Sequence, residues 1–385
     1  MIEKIATDVS VELNNSAPSS DFDGLIGMGA HMEKLEPFLR LDSDEVIMIG
    51  IWGPSGIGKT TIARVLFREY SHGFQRSVFM ENVKGNYSYK KKKKNYPGLC
   101  LNEHSAQLQL QQEFLSRITN DQDIKISHLG VAQERLKDME VFAILDDVDQ
   151  LGQLDAMAKE TGWFGPGSRI IVTTQDKRLL KEHGINHIYE VQFPLFYEAL
   201  QIFCMYAFRQ RSPYDGFENL AWEVTELAGK LPLGLKVMGS YFRGMSKHEW
   251  EKILPRLRTS LDGKSESILN FSYDALREEE KDIFLYIACL FNYEPAEKVE
   301  AHLATKFPDV RQGLHILSDK SIISISSGYV KMHDMLEKLG REIVRKQSIC
   351  DPEQRRFLVN GRDTCDVLSN YTVVSFHRVA PHKIS

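Results

Sequence analysis

Gly53-Pro-Ser-Gly-Ile-Gly-Lys-Thr60 is the stretch on which the reading of this chain turns. It fills the pattern Gly-x-x-x-x-Gly-Lys-Ser/Thr, and its setting is the one that pattern needs. Before it, Val46–Ile51 is an almost continuous apolar run, as expected of a strand buried on both faces. After it, Thr60–Tyr70 places Ile62, Val65 and Leu66 on one side of a helix. Strand, glycine loop and helix in this order make a P-loop. Its glycines let backbone N–H groups converge on phosphate oxygens, and the helix N-terminus adds a positive field. The expected nucleotide contacts are Gly53, Ser55, Gly56, Ile57, Gly58, Lys59, Thr60 and Thr61. Lys59 is expected to reach the β- and γ-phosphates, and the Thr60 hydroxyl to ligate Mg²⁺.

Downstream, Val141-Phe-Ala-Ile-Leu-Asp-Asp147 reads as a buried strand ending in two carboxylates. Asp146 is placed to hold Mg²⁺, directly or through water, and Asp147 to orient water or neutralise a basic group. These are the candidate catalytic residues, with Thr60 and Asp146 as the metal ligands. Gly165–Gln175 contains a further strand, Arg169–Thr173, whose carboxyl end carries Thr173 and Thr174 where open α/β sheets bind ligands. Arg169 reads equally as a phosphate sensor or as a surface residue. Ser77–Met80 and Ile188–Val191 complete a set of strands separated by helical segments, such as Leu108–Ile118. Gly50 to about Val191 therefore reads as a three-layer α/β domain with a mostly parallel sheet. Met32–Leu39 is a short helix ahead of it.

Beyond Val191 the strands stop. Tyr197–Arg209, Phe217–Leu227, Leu233–Arg243 and His248–Leu257 read as helices, and a second group begins near Ser265 and runs through Glu279–Leu290. Gly313–Leu317 is helical. Ile322–Ser326 and Tyr329–Met332 form a hairpin around Ser327–Gly328, and Asp334–Arg345 is again helical. Helices closed by a small hairpin point to a winged-helix module.

Composition narrows the classes. At 385 residues the chain has room for two or three domains, and 42 % apolar with 26 % charged residues is ordinary for a globular protein. A net charge of -5 gives no general electrostatic attraction for nucleic acid. The five cysteines lack metal spacing and read as free thiols. No apolar run approaches the roughly 20 residues a membrane span needs. Met1–Leu13 is amphipathic, the end of an interdomain helix rather than a signal, and Asn14–Asp23 reads as a linker. Lys90–Lys94 is a basic run that fits either nucleic-acid contact or nuclear import. The simpler reading is a solvated loop insertion within Tyr87–Pro97, because five like charges repel and have no core face.

Taken in order, these motifs resemble the nucleotide-binding switch region of plant intracellular immune receptors of the TIR-NBS-LRR type, an NB-ARC module. The resemblance spans about residues 1–370. It is carried by the P-loop, Phe79-Met-Glu-Asn-Val83, Leu145-Asp-Asp-Val-Asp149, Gly165–Asp176, Leu231-Pro-Leu-Gly-Leu235, Phe284–Phe291 and Met332-His-Asp334. Asp149 at the end of its motif resembles the TIR class. The resemblance implies an α/β P-loop NTPase domain with a parallel sheet, then an all-helical domain, then a winged-helix domain. The implied division is 1–24 linker helix and linker, 25–192 nucleotide-binding domain, 193–263 helical domain, 264–350 winged helix, and 351–385 extension and tail. It further implies that Gly27 and Met28 cover the base, that Pro232 packs on or near the adenine, and that His333, supported by Asp334, senses the β-phosphate of ADP. Gln175 stands where many related scaffold ATPases carry a sensor arginine.

Function follows as expectation. The favoured reading is a switch in plant innate immunity, ADP-bound when closed and ATP-bound when open, with Mg²⁺ and slow hydrolysis that resets it: at most a weak ATPase. No NAD-cleaving activity is expected, because a TIR domain is missing from this sequence, as are leucine-rich repeats. The partners expected are nucleotide, a second copy, or full-length receptors, in the cytoplasm and with the nucleus as a second location. An adaptor or decoy that binds nucleotide and pairs with full-length receptors without signalling is the alternative. Duplex DNA binding by the winged helix is disfavoured, since Ser321–Asp334 lacks clustered basic residues.

Overall fold

The computed structural model describes residues 25–92, 103–260, 265–347 and 357. The expectations for 1–24 and for the segments beyond 347 other than Phe357 lie outside the described residues. The chain divides into two compact units.

The first unit is built on a parallel sheet. Its strands are β1 (Ile47–Trp52), β2 (Arg76–Met80), β3 (Val141–Leu145), β4 (Arg169–Thr174) and β5 (His187–Glu190), in the spatial order β2-β3-β4-β1-β5. The helices are α1 (Met28–Leu39), α2 (Lys59–Tyr70), α3 (Val83–Lys92), α4 (Glu103–Thr119), α5 (Val131–Leu136), α6 (Leu151–Met157) and α7 (Lys177–Glu182). Alternation along each strand feeds two cores. Val141, Ala143 and Leu145 join a cluster with Leu110, Phe114 and Leu115 of α4. Phe142, turned the other way, lies 6.1 Å from the Phe67 ring of α2. Because β4 stands between β1 and β3, its carboxyl end separates the P-loop from the acidic end of β3.

Strand limits match expectation to within a residue or so, but the lysine segment does not. Rather than a loop from Tyr87, a helix runs from Val83 to Lys92. Asn82 takes a positive φ of 50° and its Oδ1 accepts the Gly85 N–H, an N-cap, while Val83 and Tyr87, one turn apart, are fully buried. The side chains of the lysine run lie outside the described residues.

In the second unit, α8 (Phe196–Phe208), α9 (Glu218–Ala228), α10 (Pro232–Phe242), α11 (Lys247–Ser260) and α12 (Ser265–Asp274) form the helical region. Trp250 is its hub, with the rings of Phe203, Phe208, Phe217 and Phe242 between 4.3 and 5.9 Å away. The winged helix follows: α13 (Glu278–Tyr286), α14 (Ala296–Leu303), α15 (Val310–Asp319), β6 (Ile323–Ser326), β7 (Tyr329–Met332) and α16 (Asp334–Gln347). Ser327 and Gly328 both have positive φ, as a two-residue hairpin turn requires. The helix expected to run on to Leu290 instead ends at Tyr286 and widens into a π-helical turn, Ile287–Phe291. Arg341 of α16 donates to the Ala288 carbonyl of this turn at 3.3 Å. Cys204 is a buried thiol outside any disulfide, and burial pushes it up to about 12. Among the described residues, no helix is long and apolar enough to cross a membrane.

Candidate nucleotide site

The P-loop leaves β1 at Trp52 and enters α2 at Lys59. Gly56 and Gly58 take φ values of 78° and 108°, which L-residues with a Cβ adopt only under strain. Gly58 is the N-cap, and no side chain caps the helix, so its first N–H groups are not taken up by a capping side chain. Lys59 is 8 % exposed, and its Nζ donates to the Gly53 carbonyl at 2.9 Å, so the ammonium is folded back over the loop.

Beside it, Thr60, Asp146 and Thr173 form one hydrogen-bonded cluster. The Thr60 hydroxyl donates to the Asp146 carboxylate at 3.0 and 3.2 Å, and the Thr173 hydroxyl donates to Asp146 Oδ1 at 2.7 Å. Thr173 also accepts the Asp147 N–H at 2.8 Å. Asp146 is 3 % exposed. Burial raises its carboxyl above the usual carboxylate range, against the opposing pull of the Thr173 and Thr60 hydroxyls. Asp147 is half-buried with a φ of 55°. Among the described residues, no three His, Cys, Asp or Glu side chains gather into a metal site. One carboxylate with two hydroxyls is a hard-oxygen set too small to enclose an ion by itself. It fits Mg²⁺, which keeps waters and phosphate oxygens in its shell, and it does not fit a structural zinc site.

The other expected residues separate from this cluster. Thr174 points away from it: its hydroxyl is fully buried and donates to the Val148 carbonyl at 2.7 Å. Thr61 is half-buried in the first turn of α2. Gly27, with φ 74°, and Met28 are half-buried at the start of α1. Ser55 and Gly56 group with the second unit, where the Leu233 N–H donates to the Gly56 carbonyl at 3.2 Å. Pro232 is in the first turn of α10, where its missing N–H costs nothing. His333 is exposed and caps α16. Its carbonyl accepts from Leu336 and Glu337, and its Nδ1 accepts the Met335 N–H at 3.2 Å. Asp334 is the first residue of that helix, where a carboxylate interacts favourably with the helix dipole.

Arg169 is neither a phosphate sensor nor a surface residue. It begins β4 at the end of the sheet away from the loop and is 1 % exposed. Its guanidinium donates to the carbonyls of Leu39, Arg40, Ser43 and Glu45, which fastens the carboxyl end of α1 and the following turn to the sheet. At the other end of α1, His31 Nδ1 and the Tyr189 hydroxyl are 2.7 Å apart. These fastenings escape a reading by motif, because their partners are carbonyls and side chains far away in sequence.

The sequence matches the NB-ARC domain family over residues 28–213 and the family described as "Disease resistance protein Roq1-like, winged-helix domain" over residues 277–348. Probable disease resistance protein RPP1 of Arabidopsis thaliana is 59 % identical, covering 99 % of this chain and 31 % of that protein. Disease resistance protein TAO1 of the same plant is 56 % identical, over 97 % of this chain and 30 % of its own length. The chain thus spans about a third of the length of these relatives. Among solved structures, a signal transduction ATPase with numerous domains from Pyrococcus horikoshii, carrying a tetratricopeptide repeat sensor, aligns with TM-score 0.47 and 15 % identity. That alignment covers 83 % of this chain and 43 % of that one. With its P-loop sheet, helical region and winged helix in that order, the chain belongs to the NB-ARC family, alongside the TIR-NBS-LRR disease resistance proteins of plants.

Proposed function

We propose that this chain is a nucleotide-dependent switch in plant disease resistance signalling, ADP-bound at rest and ATP-bound when active. The observation that carries the reading is the cluster of Thr60, Asp146 and Thr173 beside the buried Lys59. Lys59 would unfold from the Gly53 carbonyl onto the β- and γ-phosphates, and the N–H groups at the start of α2 would take phosphate oxygens. Thr60 and Asp146 would hold Mg²⁺, which when bound neutralises charge on the phosphates. Asp147, anchored through its N–H to Thr173, is the candidate to orient water. From the family resemblance we assign Gly27, Met28 and Pro232 to the base and His333 to the β-phosphate. The corresponding division is 25–192, 193–263 and 264–350, although Ile268 and Phe271, at the start of the last segment, pack with the core of the helical region. Pairing with a second copy or with full-length receptors in the cytoplasm belongs to the same proposal.

Hydrolysis then serves to reset the state. Our assignment gives no arginine among the described residues to the γ-phosphate, so turnover well below the roughly 1–100 s⁻¹ typical of kinases is expected. Turnover inside that range would overturn the switch reading. The direct test is to identify the nucleotide that co-purifies with the protein. ADP supports a resting switch, whereas a stable protein that purifies empty and binds neither nucleotide in calorimetry refutes it. Lys59→Ala is expected to weaken both ADP and ATP at least tenfold while the fold persists, because a point charge between two phosphates is lost.

A further inference from the structure

The peptide that leads into His333 is held by a side chain from forty residues upstream. Asn292 follows directly on the π-helical turn. Its Oδ1 accepts the Met332 N–H at 2.8 Å, and its Nδ2 donates to the Met332 carbonyl at 3.1 Å. The carboxamide thereby stands in for a neighbouring strand along β7. The backbone continues that pairing, with Tyr293 N–H donating to Val330 and Val330 N–H to Glu294. The Met332 carbonyl lies in the peptide plane shared with the His333 nitrogen, so holding it fixes the direction from which the His333 side chain departs. Asn292 Nδ2 also donates to Glu337, which pairs with Arg341, and Arg341 reaches back to the π-helical turn at Ala288. At the ring itself, Nδ1 accepts the Met335 N–H. A ring nitrogen that accepts must be bare, so the neutral imidazole carries its proton on Nε2.

We propose that Asn292 is a positioning residue for His333, holding the backbone from which the ring offers an Nε2–H donor to a diphosphate oxygen. This rests on the assignment of His333 to the β-phosphate made above, and the test separates the two. Asn292→Asp is isosteric: it keeps the acceptor for Met332 N–H and replaces the donor with a second oxygen facing the Met332 carbonyl and Glu337. Glu337→Gln in that background restores a donor to the contact. Stopped-flow release of a fluorescent ADP analogue is followed alongside melting curves and ¹⁵N shifts of the His333 ring.

Asn292→Asp is expected to release the analogue about tenfold faster, the scale of one to two lost hydrogen bonds, and to lose the Nε2–H signature. The double variant should recover part of both, because the donor in the contact with position 337 returns while the one to the Met332 carbonyl does not, with Glu337→Gln alone staying close to wild type. Release at the wild-type rate from His333→Ala would refute the β-phosphate assignment itself. Fast release from His333→Ala with wild-type release from folded Asn292→Asp would overturn the role of Asn292 alone. Equal acceleration in Asn292→Asp and in the double variant would mark a merely structural residue and also overturn it. If Asn292→Asp does not fold, Asn292→Ser keeps a hydroxyl for the Met332 carbonyl. An intermediate rate for it supports the proposal and an unchanged one overturns it.

Discussion

Asp146 is where the demands of folding and of the proposed ligand oppose each other. It is almost wholly buried, and desolvation lifts its carboxyl above the usual range despite two hydroxyl donors. A folded pKa above the unfolded one means that the proton is held more tightly in the folded state. The resulting stability is present below the unfolded carboxyl range and is lost as pH rises through the folded value. In the ligand-free protein, ionising this buried carboxyl is therefore a cost. Asp146→Asn removes that charge at constant shape and is expected to leave the ligand-free melting temperature unchanged or higher. The same variant should lose the Mg²⁺ dependence of nucleotide affinity in calorimetry. A marked fall in melting temperature would show instead that the carboxylate supports the fold. Lys59, Thr60, Asp146 and Thr173 were legible in sequence because spacing along a strand, loop or helix start determines where each of them lies. Arg169 was not: its acceptors at Leu39 and Glu45 are 130 and 124 residues away, and carbonyls leave no mark on a sequence.

Elements were legible where one periodicity dominates and obscured where packing overrides it. The five strands follow from apolar runs, and the hairpin from Ser327–Gly328. The π-helical turn leaves no such trace, since Ile287–Phe291 has the same apolar character as an ordinary helix end. Its stabilising contact, Arg341 on the Ala288 carbonyl, comes from another helix. Gly239 shows how propensity and packing conflict within one element. In the middle of α10, an alanine would ordinarily gain about 1 kcal/mol over glycine. Here a Cβ would stand 2.6 Å from the Phe203 carbonyl oxygen, 2.8 Å from Tyr206 Cβ and 3.2 Å from the Ala207 nitrogen, so α8 and α10 approach backbone to backbone. Backbone cannot yield as a flexible side chain can, and overpacking costs about 1–3 kcal/mol. Gly239→Ala is therefore expected to destabilise by about that much in urea denaturation. A stabilised variant would mean that the two helices are further apart than the structure places them.

For the molecule as a whole, the order of elements could be read from sequence but the order of strands in space could not. Alternation of strand and helix implies parallel pairing, yet several strand orders satisfy it equally. The observed one puts β4 between β1 and β3, which is why Thr173 completes the cluster. At this scale the proposed function makes its most stringent demand. A nucleotide shifts an equilibrium between two states only through a difference in its affinity for them. Going from 1:99 to 99:1 takes about 5.5 kcal/mol of such difference. If ADP favours one state and ATP the other, a change that biases the states without touching the P-loop must move the two affinities in opposite directions, because coupling is reciprocal. Asp334, at the start of α16 beside the His333 cap, is suited to that test. Asp334→Val is expected to weaken ADP and tighten a non-hydrolysable ATP analogue, whereas Lys59→Ala should weaken both. Calorimetric titrations of the two variants with both ligands give four ratios to wild type. Parallel losses in both variants would mean that Asp334 merely stabilises its helix, contributing about 0.3–1 kcal/mol as a half-buried first-turn carboxylate. Opposed shifts in Asp334→Val alone cannot arise from local damage, because a damaged site binds neither ligand better.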